Sequence, residues 1–376
     1  MKACSLLIVA VLFFSVPGPA QTVETVVSGS TFNDGLALDS DGNVYAAEYL
    51  GTRITRITPD GSDSIWATGQ SSPNGIAFGP EGDLYVPNNS GDNITTISPG
   101  GTQTTYATLD DPGAILVNDD GTLLVARYNV NDIVVVDTAG TVTTFLSGAP
   151  LNGPIGLVRS DDGTLYIGNF TDGKVFRYTD LEGFVEIGDL PSWLGFMTLS
   201  EDIIFATAYQ TQRIYGVPLD GSGEFIFAGT GVQGGADGPV GSATFTNPNG
   251  IIATSTGDTL YISEYGPRRL RRITGVLAVT SVGTVNEVAQ QIQLHQNYPN
   301  PFNPATEIRF SLPESGFVHL TIFDQLGQEI ATLAEGVLEP GLHSRTWNAS
   351  GLPSGVYYYR MTGNNFTATR KLLLMK

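Results

Sequence analysis

Short apolar runs separated by turn residues recur along the chain from about residue 30 to residue 275. Each unit begins with a glycine that follows a polar or turn residue, and an apolar strand comes directly after it. The spacings between these glycines are 40, 38, 43, 39 and 55 residues, for Gly35, Gly75, Gly113, Gly156, Gly195 and Gly250. A period of this length indicates one supersecondary unit that is repeated six times.

Each unit has the pattern of four strands. A turn such as Asp41-Gly42 leads to an aromatic or aliphatic second strand, for example Val44-Tyr45-Ala46. A third strand follows, as in residues 53–57, and a second turn leads to a fourth strand, as in residues 64–67. Four strands in each unit of about forty residues predict an all-β fold, a six-bladed β-propeller over residues 21–282.

Two segments compete to complete the last unit. Residues 22–28 have the pattern of a fourth strand but precede the first unit, whereas residues 277–282 would fill the same place from the other end. We favour the N-terminal strand, which would pair the beginning of the propeller with its end.

The C-terminal region has a different pattern, and a polar linker over residues 283–296 separates it from the repeats. Alternating apolar positions predict strands at residues 306–311, 318–323, 329–333, 343–347, 356–361 and 366–374. Six or seven short strands in about eighty residues predict a small Ig-like β-sandwich over residues 297–376.

The first twenty residues have the pattern of a secretory signal peptide. Lys2 supplies the positive start, residues 5–16 form a mostly apolar run, and the segment ends with the small residue Ala20. The apolar run is too short to span a bilayer, so we expect no transmembrane segment. Cys4 is the only cysteine and lies in this segment, which excludes thiol chemistry and cysteine-zinc sites from the mature chain.

Charge and histidine positions exclude further classes of function. Residues 21–294 contain eleven Lys and Arg against thirty-one Asp and Glu, which argues against nucleic acid and anionic membranes as partners. The three histidines, His295, His319 and His343, lie in or beside the C-terminal region. The repeats therefore have no Ser-His-Asp site and no histidine-bound metal.

Two positions of each unit are expected to face one mouth of the central channel. The first strand of a blade lines the channel and the second returns antiparallel, so the residue before the opening glycine and the residue that ends the second strand share a face. The first set is Asp34, Asn74, Pro112, Ile155, Leu194 and Asn249, and the second is Glu48, Asn88, Arg127, Asn169, Ala208 and Glu264.

Oxygen-bearing members of these sets come from three blades that are adjacent once the ring closes. Ca²⁺ binds six to eight oxygen ligands, so we predict a metal site whose candidate cation is Ca²⁺. Its ligands would be Asp34, Asn74, Asn249, Glu48 and Glu264. In the structural alternative, Asp and Asn before Gly make turn hydrogen bonds, and Glu48 and Glu264 pair with Arg53 and Arg268 or cap strand ends.

Two further segments of the last unit are distinctive. The glycine-rich stretch from Gly229 to Gly238 is an insertion on the same face, which either overhangs the oxygen cluster as a rim or forms a long turn. Four arginines at 268, 269, 271 and 272 predict an outer strand with salt bridges, given the surrounding acidic residues.

The sixth unit, N-P-N-G-I-I-A-T-S-T-G-D-T-L-Y-I-S-E-Y-G-P-R-R-L-R-R-I, resembles NHL-type propeller repeats. The pairs Asp34-Gly35, Asn74-Gly75 and Asn249-Gly250 resemble the metal-binding pattern of the SMP-30/gluconolactonase family. That resemblance implies a calcium-dependent hydrolase of lactones or esters, in which Asp34 or Glu48 would be the base. The family's early glutamate has no counterpart that we can place, which favours a binding role instead.

The C-terminal region contains L-H-Q-N-Y-P-N-P-F-N-P-A-T-E-I-R-F-S-L-P, L-P-S-G-V-Y-Y-Y-R-M and the final K-L-L-L-M-K. These segments resemble the type A C-terminal sorting domain of the type IX secretion system. The resemblance implies that the secretion machinery is a partner and that the protein is secreted or displayed on the cell surface.

Together these features favour an exported propeller that is a binding module for an unknown extracellular ligand or partner protein. The alternative is a calcium-dependent lactonase or esterase, and no catalytic residue is assigned at this point. Loss of Asp34 would be tolerated by the first and would abolish activity in the second.

Overall fold

The computed structural model describes residues 21–277 except 161, and in the C-terminal region residues 293–294, 297, 302–312, 315–325, 327–338, 341–363 and 366–375. The predicted signal peptide lies outside these residues, as does most of the predicted linker. Within them the regular structure is strands and one short 3-10 helix, Asn89–Gly91, which confirms the all-β prediction. In the same residues, no helix is long and apolar enough to cross a membrane.

The first strand, β1, spans Thr22–Ser28. Five four-stranded antiparallel sheets follow it, each with its strands in chain order. The first sheet contains β2 to β5 (Leu36–Leu38, Val44–Ala47, Ile54–Ile57, Asp63–Ala67), and the second contains β6 to β9 (Ala77–Phe78, Leu84–Asn88, Asn93–Ile97, Gln103–Thr108). The third contains β10 to β13 (Ile115–Val117, Leu123–Arg127, Asp132–Val136, Val142–Ser147). The fourth contains β14 to β17 (Pro154–Arg159, Leu165–Asn169, Lys174–Thr179, Gly183–Asp189), and the fifth β18 to β21 (Leu194–Ser200, Ile203–Ala208, Arg213–Pro218, Phe225–Ala228).

The sixth sheet joins the two ends of the repeat region. It contains β22 to β25 (Gly238–Pro239, Pro248–Ala253, Thr259–Glu264, Arg269–Thr274) together with β1, in the order β22-β1-β25-β24-β23. β1 pairs antiparallel with β25, from Thr22 opposite Thr274 to Ser28 opposite Arg269. This pairing confirms the favoured prediction that the N-terminal strand completes the last sheet.

The first strands of the six sheets form a closed cycle. Each contacts the first strand of the next sheet, and β23 of the sixth sheet contacts β2 of the first, which gives a propeller-like arrangement. The inner strands lie so close together that a side chain at opening glycines such as Gly35 and Gly75 would collide with the backbone of the next sheet. A Cβ atom on Gly35 would lie 2.6 Å from the carbonyl oxygen of Asn74, and one on Gly75 would lie 2.9 Å from Cα of Ala114.

Burial is greatest in the second strands of the sheets and least in the outermost strands. The second strands of the fourth and fifth sheets, β15 and β19, are buried along their whole length, whereas the fourth strands β5, β9 and β13 are mostly exposed. A strand that is covered on both faces needs apolar residues at every position rather than at alternate ones. That requirement explains continuous apolar runs such as Ile203-Ile204-Phe205-Ala206.

The C-terminal region forms two further sheets. One contains β26, β27 and β30 (Gln293–Leu294, Ala305–Leu312, Gly341–Asn348), and the other contains β28, β29, β31 and β32 (Gly316–Phe323, Glu329–Leu338, Gly355–Gly363, Phe366–Leu374). Both sheets contribute to one buried cluster, for example through Phe310, Trp347 and Tyr359. The six expected strands are present, and β26 adds a seventh that the sequence pattern had assigned to the linker.

Candidate ligand-binding site

A cavity of about 410 Å³ lies where the residues before the opening glycines meet the ends of the second strands. Its wall has three kinds of residue. Four precede or lie beside an opening glycine (Asp34, Asn74, Ile155, Asn249), six follow the second strands (Tyr49, Asn89, Tyr128, Phe170, Tyr209, Tyr265), and three come from neighbouring turns and strands (Asn129, Trp193, Phe196).

Four members of the first set lie on the cavity wall, whereas Pro112 and Leu194 do not, and the prediction was displaced by one residue in the second set. Positions 48, 88, 127, 169, 208 and 264 do not line the cavity, whereas the next position in every unit does. Successive side chains of an extended chain point to opposite sides, so a shift of one residue exchanges the two faces. Five of the six residues at the shifted position are aromatic, a signal that was present in the sequence.

Glu48 and Glu264, two of the five predicted metal ligands, are engaged by arginines outside the cavity wall. Glu48 forms ion pairs with Arg268 at 3.4 Å and with Arg53 at 3.9 Å. Glu264 is fully buried and forms an ion pair with Nε of Arg269 at 2.6 Å. Both glutamates are thus paired with arginines as in the structural alternative, although the partners of Glu264 are Arg269 and Arg271 and not Arg268.

Asp34 lies on the cavity wall and is only 3% exposed. Its Oδ1 accepts a hydrogen bond from Nδ2 of Asn249 at 2.8 Å, and no ion pair of the described residues includes it. Burial raises the pKa of the Asp34 carboxyl well above its usual range, although hydrogen bonds from Gly35 and Asn249 act in the opposite direction. The Asp34 carboxyl therefore keeps its proton to a higher pH than an exposed aspartate.

Two tyrosines lie beside Asp34 on the cavity wall. Burial raises the pKa of Tyr49 and of Tyr265, and the charge of Asp34 raises both further. Both phenols are therefore neutral at physiological pH, able to donate or accept a hydrogen bond.

Asn74 has an unsatisfied acceptor at the same cavity. Its Oδ1 is buried and has no hydrogen-bond partner in the part of the chain that the structure describes, although buried polar atoms in proteins are almost always paired. We call Asp34, Asn74 and Asn249 the oxygen sector of the cavity.

The oxygen sector fits a cation only in part. It offers one carboxylate and two amide side chains, against the six to eight oxygens that Ca²⁺ binds. No group of three or more His, Cys, Asp and Glu side chains placed to hold a metal occurs among the described residues. A Ca²⁺ ion would therefore be held by Asp34, Asn74 and Asn249, with solvent or ligand completing the shell, unless Glu48 and Glu264 left their arginine partners.

Aromatic rings form a continuous series on the other side of the cavity. Tyr128 contacts Phe170 with ring centroids 5.3 Å apart, and Phe170 stacks on Trp193 at 5.4 Å. Trp193 contacts Tyr209 at 5.9 Å, and Tyr209 contacts Tyr265 at 5.8 Å. We call these five residues the aromatic arc. It was missed by the sequence pattern, which followed only oxygen ligands.

Trp193 is the most distinctive member of the aromatic arc. It is 41% exposed, and its backbone has a φ of 67°. The left-handed region is unfavourable for a bulky side chain. Hydrogen bonds hold it there: its amide donates to the carbonyl of Phe170 at 2.6 Å, and its carbonyl accepts from the amide of Tyr209 at 3.0 Å. Strain of this kind at a cavity marks a candidate functional residue.

Phe196 closes the inner end of the cavity. It also lines a second cavity of about 410 Å³, which lies between the inner strands on the other side of the Phe196 side chain. Its ring reaches across the axis to Gly75, where a Cβ atom would lie 3.1 Å from the ring. A ligand would therefore enter the first cavity from the rim formed by the aromatic arc.

The glycine-rich insertion does not overhang the cavity. Its strand β22 pairs with β1, and Arg269 donates a hydrogen bond to the carbonyl of Gly234 at 2.7 Å. Arg271 is fully buried and donates to the carbonyls of Thr244 and Ala236 at 2.9 and 3.1 Å. None of the insertion's residues lines the cavity. The insertion is instead fixed to the sixth sheet, which argues against the rim hypothesis.

All four arginines of the basic run are paired with acidic residues, as predicted. The pairs are Arg268 with Glu48, Arg269 with Glu264, Arg271 with Asp237 and Glu264, and Arg272 with Glu24. The prediction of an outer strand was wrong, because β1 lies outside β25 in the sheet.

Comparisons with solved structures support the fold of the repeat region. A streptogramin B lyase is 16% identical over 68% of this chain and 98% of that chain, with a TM-score of 0.51. An auxiliary nutrient binding protein from Bacteroides thetaiotaomicron is 15% identical over 67% and 76%, with a TM-score of 0.59. A gluconolactonase from Xanthomonas campestris is 14% identical over 67% and 89%, with a TM-score of 0.53. At these identities the similarity shows the fold alone.

A comparison with curated protein sequences found no relative. Two protein families match parts of the chain: residues 20–193 match the virginiamycin B lyase family, and residues 296–375 match the secretion system C-terminal sorting domain. The sorting domain implies export by type IX secretion machinery, to the outside or to the cell surface. The chain thus combines a propeller-like region similar to the virginiamycin B lyase family with a C-terminal sorting domain.

Proposed function

We propose that this chain is a six-bladed β-propeller with an Ig-like sorting domain, exported through the type IX system, which binds an extracellular ligand in the cavity between the oxygen sector and the aromatic arc. The closed cycle of six inner strands supports the number of blades. The buried cluster shared by the two C-terminal sheets supports the sandwich. The signal peptide over residues 1–20 would direct the first step of export.

The observation that carries the binding role is Trp193. Its large, half-exposed indole is held in a strained backbone conformation on the wall of the cavity. Tryptophan and tyrosine supply much of the energy at protein binding sites, because they bury a large area at small entropic cost. The cavity volume of about 410 Å³ lies within the usual range for small-molecule sites.

The chemistry of the wall favours binding over catalysis. Among the described residues that line the cavity, none is a Lys, Arg or His, and Asp34 is the one carboxyl group. Acid–base catalysis usually requires a positioned donor and a positioned acceptor with different pKa values. Here the neighbours of Asp34 are tyrosines and amides, which bind polar ligands without exchanging protons at neutral pH.

Binding can be tested on glycan and peptide arrays with the secreted chain, residues 21–376. We expect the wild-type protein to be retained on a defined class of probe, and Trp193→Ala to lose that retention. Leu181→Ala is the matched control, because Leu181 is 94% exposed and lies outside the cavity wall. Equal retention of wild type and Trp193→Ala on every probe would remove this cavity as the binding site.

A calcium-dependent lactonase or esterase is the second candidate. The observation that favours it is the unpaired Oδ1 of Asn74 on the same wall as the uncompensated Asp34. A bound Ca²⁺ would polarise a carbonyl or acidify a water molecule there. Asp34, Asn74 and Asn249 would hold the ion, and Asp34 would orient the polar group of the substrate.

The melting temperature in EDTA and in millimolar Ca²⁺ separates the two candidates. A ligand that binds only the folded state raises its stability, so the hydrolase requires a calcium-dependent increase that Asp34→Ala abolishes. Glu48→Ala tests whether Glu48, which is paired with arginines, is also a calcium ligand. The binding module requires no such increase and no turnover of lactones or esters.

A further inference from the structure

We propose that the ligand of this cavity is a short neutral saccharide, with one sugar ring stacked on Trp193 and its hydroxyl groups bonded by the oxygen sector. This inference rests on the binding function proposed above and names its ligand class.

The indole of Trp193, in the middle of the aromatic arc, supplies a flat apolar surface. The stacked pair of Phe170 and Trp193, with an angle of 28° between ring planes, fixes the orientation of the indole, and 41% of Trp193 remains open to solvent. One face of a pyranose ring carries mostly C–H bonds, which pack well against an aromatic plane. An extended apolar chain would leave the opposite, polar wall unsatisfied.

The oxygen sector suits hydroxyl groups. Asn74 contributes an amide whose Oδ1 has no partner among the described residues, and the phenols of Tyr49 and Tyr265 can act as donor or acceptor. A sugar hydroxyl both donates and accepts, so neighbouring hydroxyls can satisfy several of these groups at once. Asn89 and Asn129 add two further amides to the wall.

The charge of the site excludes ionic alternatives. An anionic sugar or a phosphate would meet no Lys or Arg on the described wall and a repeat region with a large excess of acidic residues. A quaternary ammonium group would use the rings and a carboxylate, but it would leave the amides unused. The raised pKa of Asp34 also disfavours the charged form that a cation requires.

Fluorescence of Trp193 provides a direct test, because the chain has only three tryptophans. The variant Trp66→Phe/Trp347→Phe leaves Trp193 as the single emitter. We expect a saturable change in emission with the neutral disaccharides cellobiose, maltose or lactose. We expect none with glucuronate, choline chloride or tetraglycine. If the double variant does not fold, the melting temperature of the wild-type chain with the same probes replaces emission.

Asn74→Leu, which keeps the size of the side chain but removes its amide, should weaken saccharide binding by about tenfold. Leu181→Ala should leave it unchanged. A response to choline or tetraglycine without one to any disaccharide would overturn the saccharide inference but leave the binding function in place. No response of Trp193 to any probe would overturn both.

Discussion

Two regions of the repeat domain hold buried carboxylates in opposite ways. At the mouth, Asp34 has an amide partner, Asn249, and takes part in none of the ion pairs found among the described residues. In the sixth sheet, Glu264 forms ion pairs with Arg269 and Arg271, and Arg271 forms a second ion pair with Asp237 of the insertion. We call this second group the arginine latch. The charges of the arginine latch neutralise one another in ion pairs. The carboxyl of Asp34 has no such partner among the described residues, and its burial favours the protonated form.

This difference separates a structural carboxylate from a candidate functional one. A buried carboxylate that meets a guanidinium is part of the packing, because removal of either partner leaves a bare charge. Asp34 is not needed for any ion pair, and its burial works against its ionisation. Groups with a perturbed pKa in a cavity are more often found at functional sites.

The largest expected effect is at the arginine latch. Arg271→Ala should lower the free energy of unfolding by about 3–5 kcal/mol, because it leaves Glu264 with reduced compensation in a fully buried site. It also removes the donors that hold the carbonyls of Thr244 and Ala236. Urea unfolding measures the change.

The matched control for the latch is Arg272→Ala. Arg272 pairs with Glu24 near the surface, with side chains 30% and 48% exposed. Exposed ion pairs contribute about 0–1 kcal/mol. Equal losses of unfolding free energy for the two variants would contradict the view that Arg271 stabilises the fold more than Arg272 does.

An intermediate effect is expected where the two regions meet. A Cβ atom on Gly250 would collide with the carbonyl oxygen of Asp34, which is backbone and cannot move aside easily. Overpacking typically costs about 1–3 kcal/mol, so Gly250→Ala should lower the unfolding free energy by this amount and disturb ligand binding as well. Gly241→Ala is the control, since a Cβ there would have no heavy atom within 4 Å.

The smallest effect, on the order of 1 kcal/mol, is expected for Asp34→Asn. Because burial raises the pKa of Asp34 in the folded state, the contribution of this carboxyl to stability is fully present below the unfolded value of about 3.9 and is lost as the pH rises through the folded pKa. The amide cannot ionise, so the variant should be the more stable at about pH 7 and should lose that advantage near pH 4.

Urea unfolding at several pH values measures this dependence. Asp202→Asn, on an exposed turn, is the control for the same change of side chain outside the cavity. A wild-type protein that gained stability relative to Asp34→Asn as the pH rose would show that Asp34 is stabilised as an anion, for example by a cation.

The strands could be predicted from the sequence because each one carries its own signal. The turn Asp41-Gly42 and the apolar run after it are local features, and Gly42 adopts the positive φ of 80° that such a turn requires. The pairing of β1 with β25 was also predicted, although residues 277–282 competed for the same place. The burial of Arg271 could not be predicted, because it depends on the insertion that folds over this side chain.

The site was predicted in part for a similar reason. Asp34, Asn74 and Asn249 were placed at the mouth by their position next to the opening glycines. Glu48 and Glu264 were also predicted to face the mouth. They do not, because a shift of one residue at the end of a strand turns a side chain to the opposite face. The strain at Trp193 is a property of its backbone and has no counterpart in the residue pattern.

The pairing of β1 with β25 links two strands that are far apart in the chain. The hydroxyl groups of Thr22 and Thr274, 3.2 Å apart, are separated by 252 residues. Contacts of such high sequence separation form slowly, because loop-closure entropy opposes them until most of the intervening chain is ordered. The ring therefore closes late in folding, only after the whole repeat region has been synthesised. Loss of β1 or of β25 would expose an unpaired edge in the sixth sheet, with the risk of aggregation that such edges carry.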